Sequence, residues 1–220
     1  MKLLYSKDGK IRRLAYSAIL KTLKQDKSLN KINLIREGVN NSNWQVRKYC
    51  AKILGELEDE ESIELLVNRL NDPKSSVRRS VTNSLSKFNS EIIIEISESH
   101  LESEDWRIRR AVVDLLKNIG NASAVKSLVK CLDDTDIYVR SWAINALGKL
   151  KDEDSIEIFH ELLHSEASRI RISVVKALGK ISDKKSIKPL IQSLGDDDYE
   201  VRREIEKALE RIEPDWMNRL

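Results

Sequence analysis

His160-Glu161-Leu162-Leu163-His164 is the stretch whose residue types speak most directly of chemistry. On a helix this spacing sets two imidazoles one turn apart on one face beside a carboxylate, an arrangement that holds zinc and supplies a general base. The sequence contains only one more histidine, His100, two repeat units away. His160 also shares its slot with Val67, Val129 and Ile191, ordinary helix positions. No catalytic residue, metal ligand or cofactor is therefore assigned. Cys50 and Cys131 fall at different points of the repeat and read as reduced, buried small hydrophobes rather than a disulfide.

A second pattern is cationic. The steps Val46-Arg47, Val77-Arg78, Ile108-Arg109, Val139-Arg140, Ile170-Arg171 and Val201-Arg202 are followed by Lys48, Arg79, Arg110, Ser141, Ile172 and Arg203. Two cations in the first turn of a helix oppose its dipole at a cost of a few tenths to ~1 kcal/mol each, so the second marks a candidate binding position. A further row, Glu56, Lys87, Asn118, Lys149, Lys180 and Arg211, falls in the last turn, where the dipole favours cations and no ligand is needed. Trp44 and Trp106 share one slot with Tyr199, and Tyr49 and Trp142 share another. A tryptophan on a polar rim anchors a partner, stacks a base, or packs over a neighbouring turn. The candidate binding residues are thus Trp44, Lys48, Tyr49, Arg79, Trp106, Arg110, Trp142 and Arg203.

The elements that position them follow from a period of 31, which separates the six hydrophobic-basic steps without insertion or deletion. In the copy Asp133 to Leu163, Tyr138, Val139, Trp142, Ala143, Ala146, Leu147 and Leu150 recur at helical steps, a polar turn follows, and Ile156, Phe159, Leu162 and Leu163 begin a second helix. Each unit is a helix pair, A then B, with the Val-Arg step on B. Leu54, Leu85, Leu116, Leu147, Leu178 and Leu209 are core positions, and Gly55, Gly148 and Gly179 beside them allow close helix approach. Asp72, Asp134, Asp196, Asn41, Ser103 and Ser165 stand five before each step and read as helix N-caps. Such units bury their apolar faces only against neighbours, so the expected fold is all-α, a right-handed superhelical solenoid of about six 31-residue pairs forming one domain over 1–220. Residues 1–27 form an N-terminal cap with a B-type helix at Ile11 to Leu23, residues 28–212 the repeats, and 213–220 a tail in which Trp216, Met217 and Leu220 cover the last helix.

The pattern D-x-x-x-x-V-R-x-x-A/V-x-x-A-L-G, carried in full by Asp134, Val139, Arg140, Ala143, Ala146, Leu147 and Gly148, resembles HEAT repeats of the phycobilisome-lyase-like type over about residues 28–212. The resemblance implies that Arg47, Arg78, Arg109, Arg140, Arg171 and Arg202 pair with turn carboxylates of adjacent repeats as a ladder; only alternate repeats carry Asp at the earlier slot, so the other rungs use Asp105 or Asp136 or go unpaired. It implies little about function, since the family includes scaffolds, bilin-handling proteins, a hydroxylase and, more distantly, DNA glycosylases. Its hydroxylase branch binds two irons through repeated His-Glu pairs, whereas His160-Glu161 stands alone here. Trp106 with Asp105, or Trp142 with Asp114, invites comparison with the glycosylases, but no segment matches their motif.

Composition bounds the class of protein without choosing its partner. Apolar residues make up 40% and charged residues 34% of the chain, and no apolar run approaches the ~18 residues that span a bilayer. Met1 to Lys10 lacks the apolar core of a secretory signal, so a cytoplasmic location is expected. Residues 1–55 hold thirteen Lys and Arg against three Asp and Glu, a balance of +10 hidden inside a net charge of +3. A protein partner gripped on the concave B-helix surface is the first reading, without enzymatic activity. Nucleic-acid binding by the basic N-terminal region with Arg79, Arg110 and the tryptophans, with or without glycosylase-like base chemistry, is the alternative, and a lyase-like or metal-dependent enzyme stands third.

Overall fold

In a computed structural model that describes residues 2–26 and 28–219, the chain is helical throughout, with no strand among the described residues. Met1, Lys27 and Leu220, which the sequence places in the two end caps, lie outside the described residues. The chain forms two compact units, Met1–Ile119 and Gly120–Leu220. No helix among the described residues is long and apolar enough to cross a membrane.

The first unit holds α1 (Gly9–Gln25), α2 (Leu29–Gly38), α3 (Trp44–Leu57), α4 (Ile63–Val67), α5 (Ser75–Leu85), α6 (Ser90–Leu101) and α7 (Trp106–Ile119). The second holds α8 (Ala122–Lys130), α9 (Ile137–Leu150), α10 (Ile156–Leu162), α11 (Ser168–Ile181), α12 (Ile187–Gln192) and α13 (Tyr199–Ile212). Even-numbered helices are the A members, and odd-numbered helices from α3 onward are the B members. Each B helix packs on the A helix before it, and successive B helices pack on one another within a unit: α1 on α3, α3 on α5 and α5 on α7, then α9 on α11 and α11 on α13.

The local chemistry of α9 shows how one copy is cut from the sequence. The Asp136 carboxylate accepts hydrogen bonds from the Tyr138 and Val139 N–H groups and so starts the helix. Val139, Ala143, Ile144, Ala146 and Leu147 are buried on one side. At the end Lys151 turns left-handed (φ 56°), and its N–H returns to the Leu147 carbonyl. The same left-handed residue recurs at Glu58, Gly120 and Ser182, one period apart or a multiple of it. A short 3-10 turn then leads into the A helix at Glu60–Ser62, Glu153–Ser155 and Lys184–Ser186, and in each the serine is buried.

Every leucine of the main core slot, Leu54, Leu85, Leu116, Leu147, Leu178 and Leu209, is fully buried, a contribution of roughly 1.5–3 kcal/mol each. The glycines beside them are required by close approach. A Cβ on Gly55 would lie 2.7 Å from the Ser84 Cα, and one on Gly148 would lie 2.6 Å from the Ala177 Cα.

The N-caps lie two residues beyond the expected positions. Asn43, Asp105, Asp136 and Asp198 accept the first helical N–H groups, whereas Asn41, Asp72, Ser103, Asp134 and Asp196 accept the N–H two residues on. The turn thus uses two short polar residues in series, one to reverse the chain and one to begin the helix. At the N-terminal end α1 behaves as a B helix: Arg12 donates to the Ser6 and Lys7 carbonyls, as the repeat arginines do to theirs. At the other end Trp216 is buried, but Met217, expected to share its capping role, is 66% exposed.

Candidate functional site

The repeat arginines are structural first. Each reaches back with Nη1 to its own turn: Arg47 to the Asn41 and Ser42 carbonyls, Arg109 to Ser103 and Glu104, Arg140 to Asp134 and Thr135, Arg202 to Asp196 and Asp197. Arg47 and Arg171 also grip the carboxylate 25 residues on, bidentately: Arg47 to Asp72 at 2.6 and 2.9 Å, Arg171 to Asp196 at 2.7 and 2.8 Å. Burial opposes ionisation of Asp72, but hydrogen bonds from Arg47 and from the Lys74 N–H outweigh it and hold its carboxyl below the usual range. Of the two readings for the rungs without Asp, use of Asp105 or Asp136 is not met. Both carboxylates are engaged as N-caps, and Arg78 takes the Asp72 main-chain carbonyl instead.

With the first arginine used, the second cation of each step faces outward on the B helices. Residues at steps of four make one stripe along each B helix: Trp44, Lys48, Lys52 and Glu56 on α3, then Arg79 and Asn83 on α5 with Lys87 in the turn just after it, and Trp106, Arg110, Asp114 and Asn118 on α7. Neighbouring stripes touch, since Lys87 pairs with Glu56 at 2.7 Å and Asn118 donates to Asn83 at 3.3 Å.

In the first unit the structure brings Lys48, Tyr49 and Arg79 together and adds Arg12, Tyr16 and Lys52, which the sequence reading did not single out. The Lys48 ammonium lies 5.6 Å from the Tyr49 ring centre, Lys52 lies 4.4 Å from the Tyr16 ring centre, and the two rings are 5.7 Å apart. Burial, with Arg79, Lys52 and Arg12 nearby, lowers the Lys48 pKa. The Tyr16 hydroxyl is pushed up to about 12 by burial and by the adjacent Glu56. A signal was available for Lys52, which follows Lys48 at i+4. Arg12 had one in the Ile11-Arg12 step, which echoes the hydrophobic-basic step of the repeats, whereas Tyr16 had none, because α1 precedes the regular period.

Trp44 and Trp106 are the first residues of α3 and α7, half-buried, with the Arg107 guanidinium 5.1 Å from the Trp106 ring centre. Arg110 sits one turn beyond Trp106 and is half-buried. In the second unit Trp142 is half-buried on α9 and Arg203 exposed on α13, with Tyr199 exposed at the start of the latter. The stripe there runs Ser141, Asn145 and Lys149 on α9, Ile172, Lys176 and Lys180 on α11, and Arg203, Lys207 and Arg211 on α13. Ser141 and Ser173 hydroxyls meet at 2.7 Å, and Lys180 Nζ donates to Asn145 at 3.5 Å.

The histidine motif does not form a single helical face. α10 ends at Leu162, so His164 lies exposed in the following turn while His160 remains within the helix. His160 Nε2 meets the Ser186 hydroxyl at 3.1 Å, and Nδ1 is 3.8 Å from Glu157. That order of groups resembles a nucleophile with its base, but Ser186 is only 1% exposed and cannot reach a substrate. Among the described residues no cluster of three or more His, Cys, Asp or Glu is placed to hold a metal ion. Cys50 and Cys131 are free and buried, and burial pushes the Cys50 thiol up to about 12.

No curated protein matches the sequence. An engineered protein solved by crystallography is 22% identical over 84% of this chain and 98% of its own, with a TM-score of 0.51. A structure describing Kap95p binding to RanGDP contains a chain 14% identical over 96% of this one but only 35% of its own length, with a TM-score of 0.60. Both likenesses concern the fold alone. The family model described as HEAT repeats matches residues 32–96, 94–168 and 128–210. With helix pairs of constant length, arginine-carboxylate rungs and matches covering most of the sequence, this chain belongs to the HEAT-repeat family.

Proposed function

We propose that this protein is a non-enzymatic interaction module that holds a segment of a partner polypeptide on its B-helix face. In the first unit the contacts are Trp44, Lys48, Tyr49, Arg79, Trp106 and Arg110; in the second they are Trp142 and Arg203. The observation that carries this reading is Lys48. It is held half-buried against Tyr49 with Arg12, Lys52 and Arg79 about it, and it makes no ion pair among the described residues. A like-charged group kept at such a cost serves something outside the chain.

Within HEAT proteins we group the chain with the phycobilisome-lyase-like repeats, on the strength of Asp134, Val139-Arg140, Ala143, Ala146, Leu147 and Gly148. The reading includes a cytoplasmic location, which two free buried thiols support.

A photo-crosslinking amino acid at position 49 tests it in native lysate. One discrete protein adduct is expected with the otherwise native chain and its loss with Lys48→Glu/Arg79→Glu. An adduct pattern unchanged by the charge reversal counts against it. Nucleic acid is the second reading, favoured by the cationic first unit. It predicts binding of single- or double-stranded DNA or RNA that falls steeply with salt, and no binding at low salt removes it.

A further inference from the structure

The row ten residues past each hydrophobic-basic step reads, one residue at a time, as cations satisfied by helix C-termini. Its members differ once their neighbours are known. In the first unit Lys87 is paired with Glu56 at 2.7 Å. In the second unit Lys149 of α9, Lys180 of α11 and Arg211 of α13 stand side by side on three successive B helices, with Lys176 one turn before Lys180, and none of the four forms an ion pair among the described residues. Glu204 on α13, whose carboxyl is, against burial, held low by Lys207 and by Lys176 and Arg203 nearby, gives its ion pair to Lys207 at 2.7 Å. Lys180, half-buried at the centre, has one weak acceptor, Asn145 at 3.5 Å, and its pKa is lowered by burial and by Lys149, Arg211 and Lys176. A helix dipole explains why each cation is tolerated singly. It does not explain why three helices converge their cations on one spot.

We infer that Lys149, Lys176, Lys180 and Arg211 form a docking surface for an acidic segment of a partner polypeptide. The inference rests on the polypeptide reading above and adds a second contact with stated chemistry. Charge complementarity sets the sign. Geometry sets the spacing, because B helices pack about 9 Å apart, a distance matched by carboxylates three residues apart on a polyproline-II-like chain, which rises about 3.1 Å per residue and returns every third side chain to the same side.

The remainder of the face selects polypeptide over nucleic acid. Toward the N-terminal ends of α9 and α11 the stripe is uncharged, with Ser141 and the half-buried Ile172. A phosphodiester backbone would bring its next charges against Ile172, whereas a peptide sets an apolar side chain there. None of the four residues is aromatic, so a base finds nothing in the cluster to stack on.

The test uses the full chain and three fluorescein-labelled probes at low ionic strength: a peptide of about twelve residues with glutamate at every third position, its glutamine counterpart, and a dT oligonucleotide of equal length, each followed by anisotropy. The glutamate peptide is expected to bind, and the glutamine peptide to bind at least about tenfold more weakly. Lys149→Gln/Lys180→Gln is expected to weaken the glutamate peptide about tenfold, and Lys48→Gln/Arg79→Gln less than about twofold. All four substitutions replace side chains at the surface, and far-ultraviolet circular dichroism verifies that helicity is kept. Tighter binding of the oligonucleotide than of the glutamate peptide overturns the inference in favour of nucleic acid. Equal losses in the two double variants, or loss only in the Lys48/Arg79 pair, overturn it while leaving the first-unit contact standing. Absence of peptide binding overturns it alone, because the cross-link at position 49 reports on the first unit independently.

Discussion

Asp72 and Asp196 hold the same rung in different surroundings, so they separate the value of a buried ion pair from that of a redundant one. Asp72 is 2% exposed and is the only carboxylate that Arg47 reaches among the described residues. Asp72→Asn should lower stability by about 3 kcal/mol in urea unfolding at neutral pH, because it leaves a buried guanidinium without its charge partner. Asp196→Asn should cost less, since Asp197 still bonds Arg171 at 2.7 Å. The sign with pH follows from the depressed Asp72 pKa: its contribution is complete above the unfolded value near 3.9 and is lost as pH falls through the lower folded value. The gap between native chain and Asp72→Asn should therefore stay constant from pH 7 to 5 and close only below about pH 4. A gap that widens in acid would refute the pairing. The position of each arginine was legible from the hydrophobic-basic step. Its partner was not, because Asp105 and Asp136 are equally plausible by residue type and only the backbone geometry assigns them to helix starts.

At the scale of helices the repeat makes two opposite demands on backbone positions one period apart. Gly148 faces the Ala177 backbone, and an added Cβ would sit 2.6 Å from its Cα; at Gly179 the nearest backbone atom, Ala208 Cα, is 3.2 Å away; Gly195 has nothing within 4 Å. Alanine gains up to about 1 kcal/mol of helix propensity over glycine, and overpacking costs roughly 1–3 kcal/mol. Gly148→Ala should thus be clearly destabilising, Gly179→Ala close to neutral and Gly195→Ala harmless, an ordering read directly from urea midpoints. At the other end of the helix Lys151 occupies a left-handed conformation that glycine adopts without strain. Lys151→Gly should raise stability by several tenths to about 1 kcal/mol, and no gain would mean that the lysine side chain contributes more than its backbone strain removes. Helix pairing, the leucine core and the glycine contacts were all legible in the 31-residue period. The caps were displaced by two because Asn, Asp and Ser serve equally in a chain-reversing turn and at a helix start, and the sequence offers both in succession.

For the molecule as a whole, 39 basic against 36 acidic residues suggests that salt should matter little. The arrangement argues otherwise. Cations gather around Lys48 in the first unit and around Lys180 in the second, where the carboxylates at hand, Glu56 and Glu204, are held by Lys87 and Lys207. Reading the sequence one residue at a time hid the second cluster, since repulsion between Lys149, Lys180 and Arg211 is a property of helix packing and not of any single turn. Screening by salt weakens such repulsion over distances beyond about 10 Å at 0.1 M. The protein should consequently gain thermal stability as sodium chloride is raised from about 20 to 300 mM, contrary to a chain held together mainly by surface ion pairs. Lys180→Gln should be more stable than the native protein at low salt, by about 0.5 kcal/mol given typical like-charge terms at partly exposed sites, with the difference shrinking at high salt. The same substitution weakens the glutamate peptide, so one residue links a stability gain to a binding loss, as expected where a site is kept at the expense of the fold. A melting temperature that falls with salt, or a Lys180→Gln effect independent of it, would show the cluster to be balanced within the chain and remove the physical basis for an acidic partner.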